Sequence, residues 1–304
     1  MEGRGEVVVV GGMNVDTLAR ISAETVPGSS NPGRTSTAHG GVGRNVAENL
    51  ARLGSPVRLI GVVGEDAQGA DLLAALRLLD VDCSGVRRSA DCSTGTYTAV
   101  LDHDGGLVIG VADMAATESL RPEHIADSAL RGASWLVLDG NLRTDTIARC
   151  LALADQHDVP VVLDPVGVTK AARLGRLPGL HTFTPNHDEL LAWAGTEDVE
   201  EARARAHAQG IEVVWLREGA EGSTLHTGDG TVTTLRLPPA PVVDVTGAGD
   251  AMLAAYVHRL RAGDPVVQAG WFATAAAWLT VGSPTTVRHD LTEDLVRATL
   301  EDFR

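Results

Sequence analysis

Apolar residues follow two rhythms along the chain. Short runs rich in Val, Leu, Ile, Phe and Trp at 7–10, 57–63, 135–138, 161–163, 182–184 and 213–216 predict strands. Several are apolar at successive positions, the pattern of strands buried on both faces of a parallel sheet. Between them, apolar residues recur three and four apart over 43–53, 67–79, 144–157, 187–194 and 199–209, which predicts helices with one buried face. This alternation from end to end predicts an α/β fold: an open, doubly wound, mainly parallel sheet covered by helices.

Two segments break the alternation. Residues 16–39 are rich in Ser, Thr, Gly and Pro and have no helical period. Residues 94–111 read as a hairpin, with alternating strands at 97–101 and 107–111 around His103-Asp104-Gly105-Gly106. Both leave the first half of the sheet at loop positions. They are expected to pair into a small β lid, inserted discontinuously from about 16–39 and 94–112 into one domain spanning 1–304. A surface excursion without a role is the alternative. No internal repeat, low-complexity tract or interdomain linker is evident.

Composition narrows the possibilities. The 304 residues are 44% hydrophobic but only 3% aromatic, so the core must rest mainly on Ala, Val and Leu. Forty acidic residues against 25 basic ones leave a formal charge of −15, with no basic cluster interleaved with aromatics. Binding to a nucleic-acid polymer or an anionic membrane is not expected. Lys170 is the only lysine, and Val-Gly-Val-Thr-Lys-Ala-Ala around it matches neither a Walker A loop nor a protein-kinase strand. Any phosphate chemistry must use another device. Cys83, Cys92 and Cys150 are odd in number and form no Cys-x-x-Cys, so they read as buried or idle thiols. The polar start Met1–Glu6 does not look like a signal peptide, and the apolar stretch 269–282 is too short to span a bilayer. A cytoplasmic location is expected.

The most informative stretch is Asp244-Val245-Thr246-Gly247-Ala248-Gly249-Asp250, which leads into the helical run Ala251-Met252-Leu253-Ala254. Small residues there let the backbone turn tightly and gather the N–H groups of Gly247, Ala248 and Gly249 at the positive end of a helix dipole. Asp250 stands beside that anion hole, where a carboxylate can take a proton from a hydroxyl. A turn followed by a helix-capping acid would use the same residues. A second stretch, Gly40-Gly41-Val42-Gly43-Arg44-Asn45, opens a helix whose Val46, Leu50 and Leu53 share a face. It is not a dinucleotide fingerprint, because Val46 replaces the third glycine and no clear strand precedes it. Glycines there admit a polyol closely and Asn45 can bond its hydroxyls; a helix start with packing glycines is the plainer alternative. Where the first strand ends, Asn14 and Asp16 are two apart and so face one side, suited to vicinal hydroxyls or to an Asx turn.

Together these segments resemble the ribokinase-like (PfkB) family of carbohydrate and nucleoside kinases over essentially the whole chain. Its two signatures match 40–54 and 244–250, and its Asn-x-x-Glu motif appears as Asn186-His187-Asp188-Glu189. The resemblance implies ATP and Mg2+ as cofactors and Asp250 as catalytic base. It implies an anion hole at Gly247, Ala248 and Gly249, with Asn186, Glu189 and Asp164 near magnesium-bound water and the nucleotide phosphates. The turn Arg217–Gly222, through Gly219 and Gly222, would lie against ATP, although a plain turn explains the same residues. If the family's monovalent-cation site is kept, Asp244 and the Thr246 backbone are the candidates for K+.

Within the family the chain resembles the branch acting on pseudouridine. The similar stretches are Ser30-Asn31-Pro32-Gly33, Gly40–Asn45, Thr96–Asp102 with Asp113-Met114, Asp139-Gly140-Asn141-Leu142, and Asp164-Pro165-Val166 with Lys170. Ala112 and Gly167 depart from that branch, which often carries Asn and Ser there. The implied acceptor site comprises Asn14, Asp16, Asn31, Gly40, Gly41, Asn45, Asn141 and Lys170. Another sugar or nucleoside kinase of the family, such as a ribokinase, is the alternative. A non-catalytic nucleoside or sugar sensor would differ in class. The small-molecule acceptor would be enclosed by the lid, and alternating apolar lid residues suggest a homodimer formed through it.

Overall fold

In the computed structural model, which describes residues 5–303, the chain forms one large sheet and one small sheet. The strands in chain order are β1 (Val7–Val10), β2 (Asn14–Ile21), β3 (Gly33–Gly40), β4 (Val57–Gly64), β5 (Asp82–Ser89), β6 (Gly95–Leu101) and β7 (Leu107–Asp113). They continue with β8 (Trp135–Asp139), β9 (Val161–Asp164), β10 (Thr182–Phe183), β11 (Val213–Arg217), β12 (Ser223–Thr227) and β13 (Val232–Leu235). The large sheet has the order β13-β12-β11-β10-β9-β8-β1-β4-β5. From β5 to β11 every pairing is parallel, and β12 and β13 continue antiparallel at one edge. The expected doubly wound α/β sheet is therefore present.

Both faces of this sheet are buried, as the consecutive apolar runs require. Val7 and Val9 of β1 join one hydrophobic cluster and Val8 and Val10 the other. The first cluster is closed by helices Val42–Arg52, Ala248–Ala262 and Val266–Val281, the second by Thr144–Gln156 and His187–Ala194. Two of the scarce aromatics sit at the centre: Trp215 and Tyr256 are fully buried with ring centroids 4.6 Å apart, amid Ala and Leu. The apolar stretch at 269–282 is part of this packing. No helix among the described residues is long and apolar enough to cross a membrane. Cys83 and Cys150 are buried, Cys92 is half-buried, and all three are free. Of the polar start Met1–Glu6, residues 1–4 lie outside the described residues.

The small sheet has the order β3-β2-β6-β7. β2 pairs antiparallel with β3 and parallel with β6, and β6 with β7 forms the expected hairpin. The two irregular segments thus do pair with one another. One expectation needs correcting: a strand, β3, runs directly into Gly41. The apolar pattern does not mark it, because β3 is exposed over most of its length and has no apolar alternation, and it belongs to the small sheet rather than the parallel one. Asn14 and Asp16 likewise lie within β2 rather than at the end of β1. Strands β5 and β13 carry few apolar residues and were also not evident from the pattern.

Candidate active site

Five neighbouring strands of the large sheet end on one line. β1 runs out into Gly11-Gly12, β8 ends on Asp139, β9 on Asp164 and β11 on Arg217, while Asn186 follows β10. Asp139 and Asp164 are cross-strand partners, and Asn186 bridges to Arg217. The apolar pattern stops here because the strands end against helix starts rather than helix faces, and the polar side chains gathered there, Asp139, Asp164 and Glu189, are nonetheless buried.

Asp139 organises the side of this edge nearest β1. Its carboxylate accepts from the backbone amides of Gly12 (2.7 Å), Gly43 (3.0 Å) and Asn141 (2.8 Å). It thereby ties the end of β1 to the start of helix Val42–Arg52. Burial pushes its pKa up, against these amides and the charge of Lys170. The helix start lies so close to β1 that side chains do not fit. A Cβ on Gly43 would fall 2.7 Å from the Gly11 Cα, and one on Gly41, whose φ is +95°, 2.5 Å from the Gly12 carbonyl. Asn45 then lies in the first turn, 4% exposed, and its amide nitrogen donates to Asp250 at 2.7 Å. Asn45 was expected to serve sugar hydroxyls; in this structure it holds the expected base.

Asn14 donates to Asp16 at 2.5 Å, and the Asp16 carboxylate lies against Gly40, where a Cβ would come within 2.3 Å of it. Burial raises the Asp16 pKa. Half-buried Lys170 donates to the Asn141 side chain, and burial lowers its pKa despite nearby Asp139. It is therefore no solvated surface lysine. Asn31 is apart from this group: its side chain bonds Val26 and Ser29 in its own loop between β2 and β3.

On the other side, the Asn-x-x-Glu motif forms a capping box on helix His187–Ala194. The Glu189 amide donates to the Asn186 side chain (2.9 Å), and the Asn186 amide donates to the Glu189 carboxylate (2.8 Å). Glu189 also accepts from Arg217 at 3.0 Å, and Asp164 accepts from Arg217 at 2.8 and 3.3 Å. Burial opposes the charge of Arg217, but Asp164 and Glu189 more than offset this and hold its pKa above the usual value. Its Nε is buried without a protein partner. Gly219 and Gly222 shape the turn from β11 to β12. Asp244 accepts from the Thr246 amide at 2.8 Å. Gly247 caps helix Ala248–Ala262 with φ +80°, and a Cβ there would overlap the Thr286 carbonyl. The Ala248 amide turns back to Val245 at 3.3 Å.

Asp250 joins the two halves. It lies in the first turn of helix Ala248–Ala262, half-buried, bonded to Asn45 and within electrostatic reach of Asp164, Arg217 and Asp139. Burial is the main cause of a pKa pushed up to about 7. Asp164 and Asp139 add to the rise, while the Asn45 bond and Arg217 oppose it. A carboxyl group titrating there suits a general base at neutral pH.

The chain matches the pfkB family carbohydrate kinases over residues 4–292. It is 30% identical to the pseudouridine kinase of Escherichia coli (strain K12) over 299 residues, 96% of this chain and 95% of that one. It belongs to the PfkB family. It is 31% identical to an Arabidopsis thaliana ribokinase over 90% of this chain and 76% of the relative. The structure of Arabidopsis thaliana ribokinase complexed with ribose and ATP superposes with a TM-score of 0.90 at 27% identity, covering 98% of this chain and 99% of that one. The chain is thus a ribokinase-like phosphotransferase acting on an alcohol group, a sugar or nucleoside kinase.

The edge of this PfkB-family kinase also carries residues that the motifs alone did not mark. Asp139 was visible only within a similar stretch, and Arg217 only as the start of a glycine turn. A shared signal was present: β8, β9 and β11 are apolar runs that end abruptly on a charged side chain.

The raised pKa of Asp250 has a consequence for stability. A carboxyl group above its unfolded value of 3.8 favours folding when protonated; that contribution is full below pH 4 and is lost as pH rises through about 7. Asp250→Asn should therefore raise unfolding stability at pH 8 by about 1 kcal/mol or more, with little gain at pH 4. Turnover should fall by orders of magnitude. Urea denaturation of both proteins at the two pH values measures this, and equal stabilities at pH 8 would contradict it.

Proposed function

We propose that this kinase transfers the γ-phosphoryl group of ATP to the 5′-hydroxyl of pseudouridine, giving pseudouridine 5′-phosphate and ADP. The observation that carries the acceptor is the similarity to the Escherichia coli pseudouridine kinase along nearly the whole of both chains. Arg44 supports it, since sugar-specific ribokinases tend to carry Ala there. Asp16, Gly41 and Asn45 border the ribose, and the small sheet acts as a lid over it. ATP lies over the β9–β11 half of the edge, between the Gly219–Gly222 turn and residues 281–285.

Asp250 takes the proton of the 5′-hydroxyl as that oxygen attacks the γ-phosphorus in line. The bond from phosphorus to the ADP oxygen breaks, and no covalent enzyme intermediate forms. Amides at Gly247 and Gly249 take up charge on the transferred group, joined by that of Ala248 once it leaves the Val245 carbonyl. Asp16, Asp139, Asp164, Glu189 and Asp250 outnumber the nearby cations Arg44, Lys170 and Arg217. Among the described residues no three His, Cys, Asp or Glu side chains form a metal cluster. This acid-rich edge fits magnesium held by nucleotide phosphates, with Asp164 and water on Glu189 as protein partners. Bound there, magnesium would neutralise phosphate charge. Asp244 and the Thr246 backbone are the place for a monovalent cation such as K+.

A panel of acceptors with ATP, followed by ADP release, decides the substrate. The kcat/KM for pseudouridine should exceed those for ribose, uridine and adenosine by at least about tenfold. A higher value for ribose or adenosine would make this another kinase of the family.

We further propose a homodimer through the lid. Leu107, Val108, Ile109 and Val111 of the edge strand β7 are 48–60% exposed, beside exposed Leu18 and Tyr97. Light scattering at micromolar concentration should give twice the chain mass, and Ile109→Asp should give the monomer. A monomeric wild-type protein would remove this proposal.

A further inference from the structure

The contact between Asn45 and Asp250 depends on which way the Asn45 carboxamide faces, and a neighbour settles this. Arginine has only donors. Arg44 is 4% exposed and directs both Nε, at 3.1 Å, and Nη2 to Oδ1 of Asn45. The carbonyl oxygen of Asn45 must therefore face Arg44, which leaves its NH2 for the Asp250 carboxylate. A turned amide would place its oxygen against a carboxylate and its hydrogens against a guanidinium, wrong at both ends.

Arg44 is itself fixed on several sides. Its Nη1 donates to Glu48 at 2.5 Å and Nη2 to the His39 carbonyl of β3 at 2.9 Å. Glu48 accepts from Arg52, and Arg52 reaches the His289 carbonyl. One chain of hydrogen bonds thus runs from the small sheet, through helix Val42–Arg52, to the loop before the last helix. Asn45 branches from it toward Asp250. The helix start is held too, by Arg44 N–H to the Gly12 carbonyl at 3.1 Å and Asn45 N–H to that of Gly41 at 2.8 Å.

We propose that Arg44 is a positioning residue: by taking the Asn45 carbonyl it keeps the Asn45 amide donating to Asp250, and so fixes the orientation of the base beneath the lid. This rests on Asp250 acting as base, whatever the acceptor. The charged groups around Asp250 are Asp164 and Asp139 on the sheet edge, Arg217 at the end of β11, and Arg44 on the facing helix. Among the described residues Asn45 is the one side chain that donates to it.

The test contrasts two variants. Arg44→Lys keeps a charged, donor-only side chain, whereas Arg44→Gln offers its own carbonyl and lets the Asn45 amide turn. Three readouts apply: the pH profile of kcat/KM with the best acceptor found, the Asn45 side-chain NH2 signal in 15N–1H spectra of the unliganded protein, and unfolding stability. In wild type and Arg44→Lys, the acid limb should lie near pH 7 and the NH2 signal should follow the Asp250 titration. In Arg44→Gln the limb should move up by about one pH unit, with activity regained at higher pH, and the NH2 signal should no longer follow Asp250. If Arg44→Gln does not fold, Arg44→Met takes its place. Loss of activity by one factor at every pH, an NH2 signal unchanged in Arg44→Gln, or equal shifts in both variants would overturn the proposal. The spectra need no substrate, so a mistaken acceptor leaves this test intact.

Discussion

A parallel sheet covered on both faces has little room for polarity except at its edges. From β5 to β11 the strands pair in parallel, and β1, β8 and β9 are buried throughout, so charge near them is confined to their ends. Their carboxyl ends form one line, and the connections between strands bring helix starts to the same line. The chemistry proposed at the sheet edge follows from that confinement. Asp139, Asp164, Asn186 and Arg217 are neighbours because their strands are neighbours. Their charges interact strongly because the sheet beneath and the helices around exclude water.

Like charges crowded in this way need cations, donors or protons. Arg217 answers for Asp164 and Glu189, and backbone amides with Lys170 answer for Asp139. Among the described residues Asp250 has Asn45 as its one hydrogen-bond donor and lies near two other carboxylates, so its proton is held more tightly than usual. A carboxyl group that titrates near neutrality is thus produced by placement rather than by special chemistry. The arrangement opposes folding stability at the pH where the proposed base would act, which is the familiar tension between activity and stability.

Much of this was legible in the residues. Consecutive apolar runs gave the core strands, because a strand buried twice leaves no polar alternation to confuse with a loop. The glycine-rich signatures pointed to the two helix starts because close backbone approach at Gly41, Gly43 and Gly247 forbids side chains. Strands β3 and β5 were not legible, since half or more of the residues in each are exposed and neither carries an apolar alternation. The connections of Asn45 were hidden for a related reason. Its partners Arg44 and Asp250 come from different helices, and only the fold shows that its amide is shared between a donor-only guanidinium and a carboxylate.

At the centre of the site stands one carboxyl group, Asp250, whose proton affinity is set by burial among other acids. Carbon-13 NMR of aspartate-labelled protein, with the Asp250 signal assigned by its loss in Asp250→Asn, measures that affinity without substrate. Titration with a midpoint near pH 7 is the predicted result. A midpoint near 4, the ordinary range of an aspartate, would contradict the account.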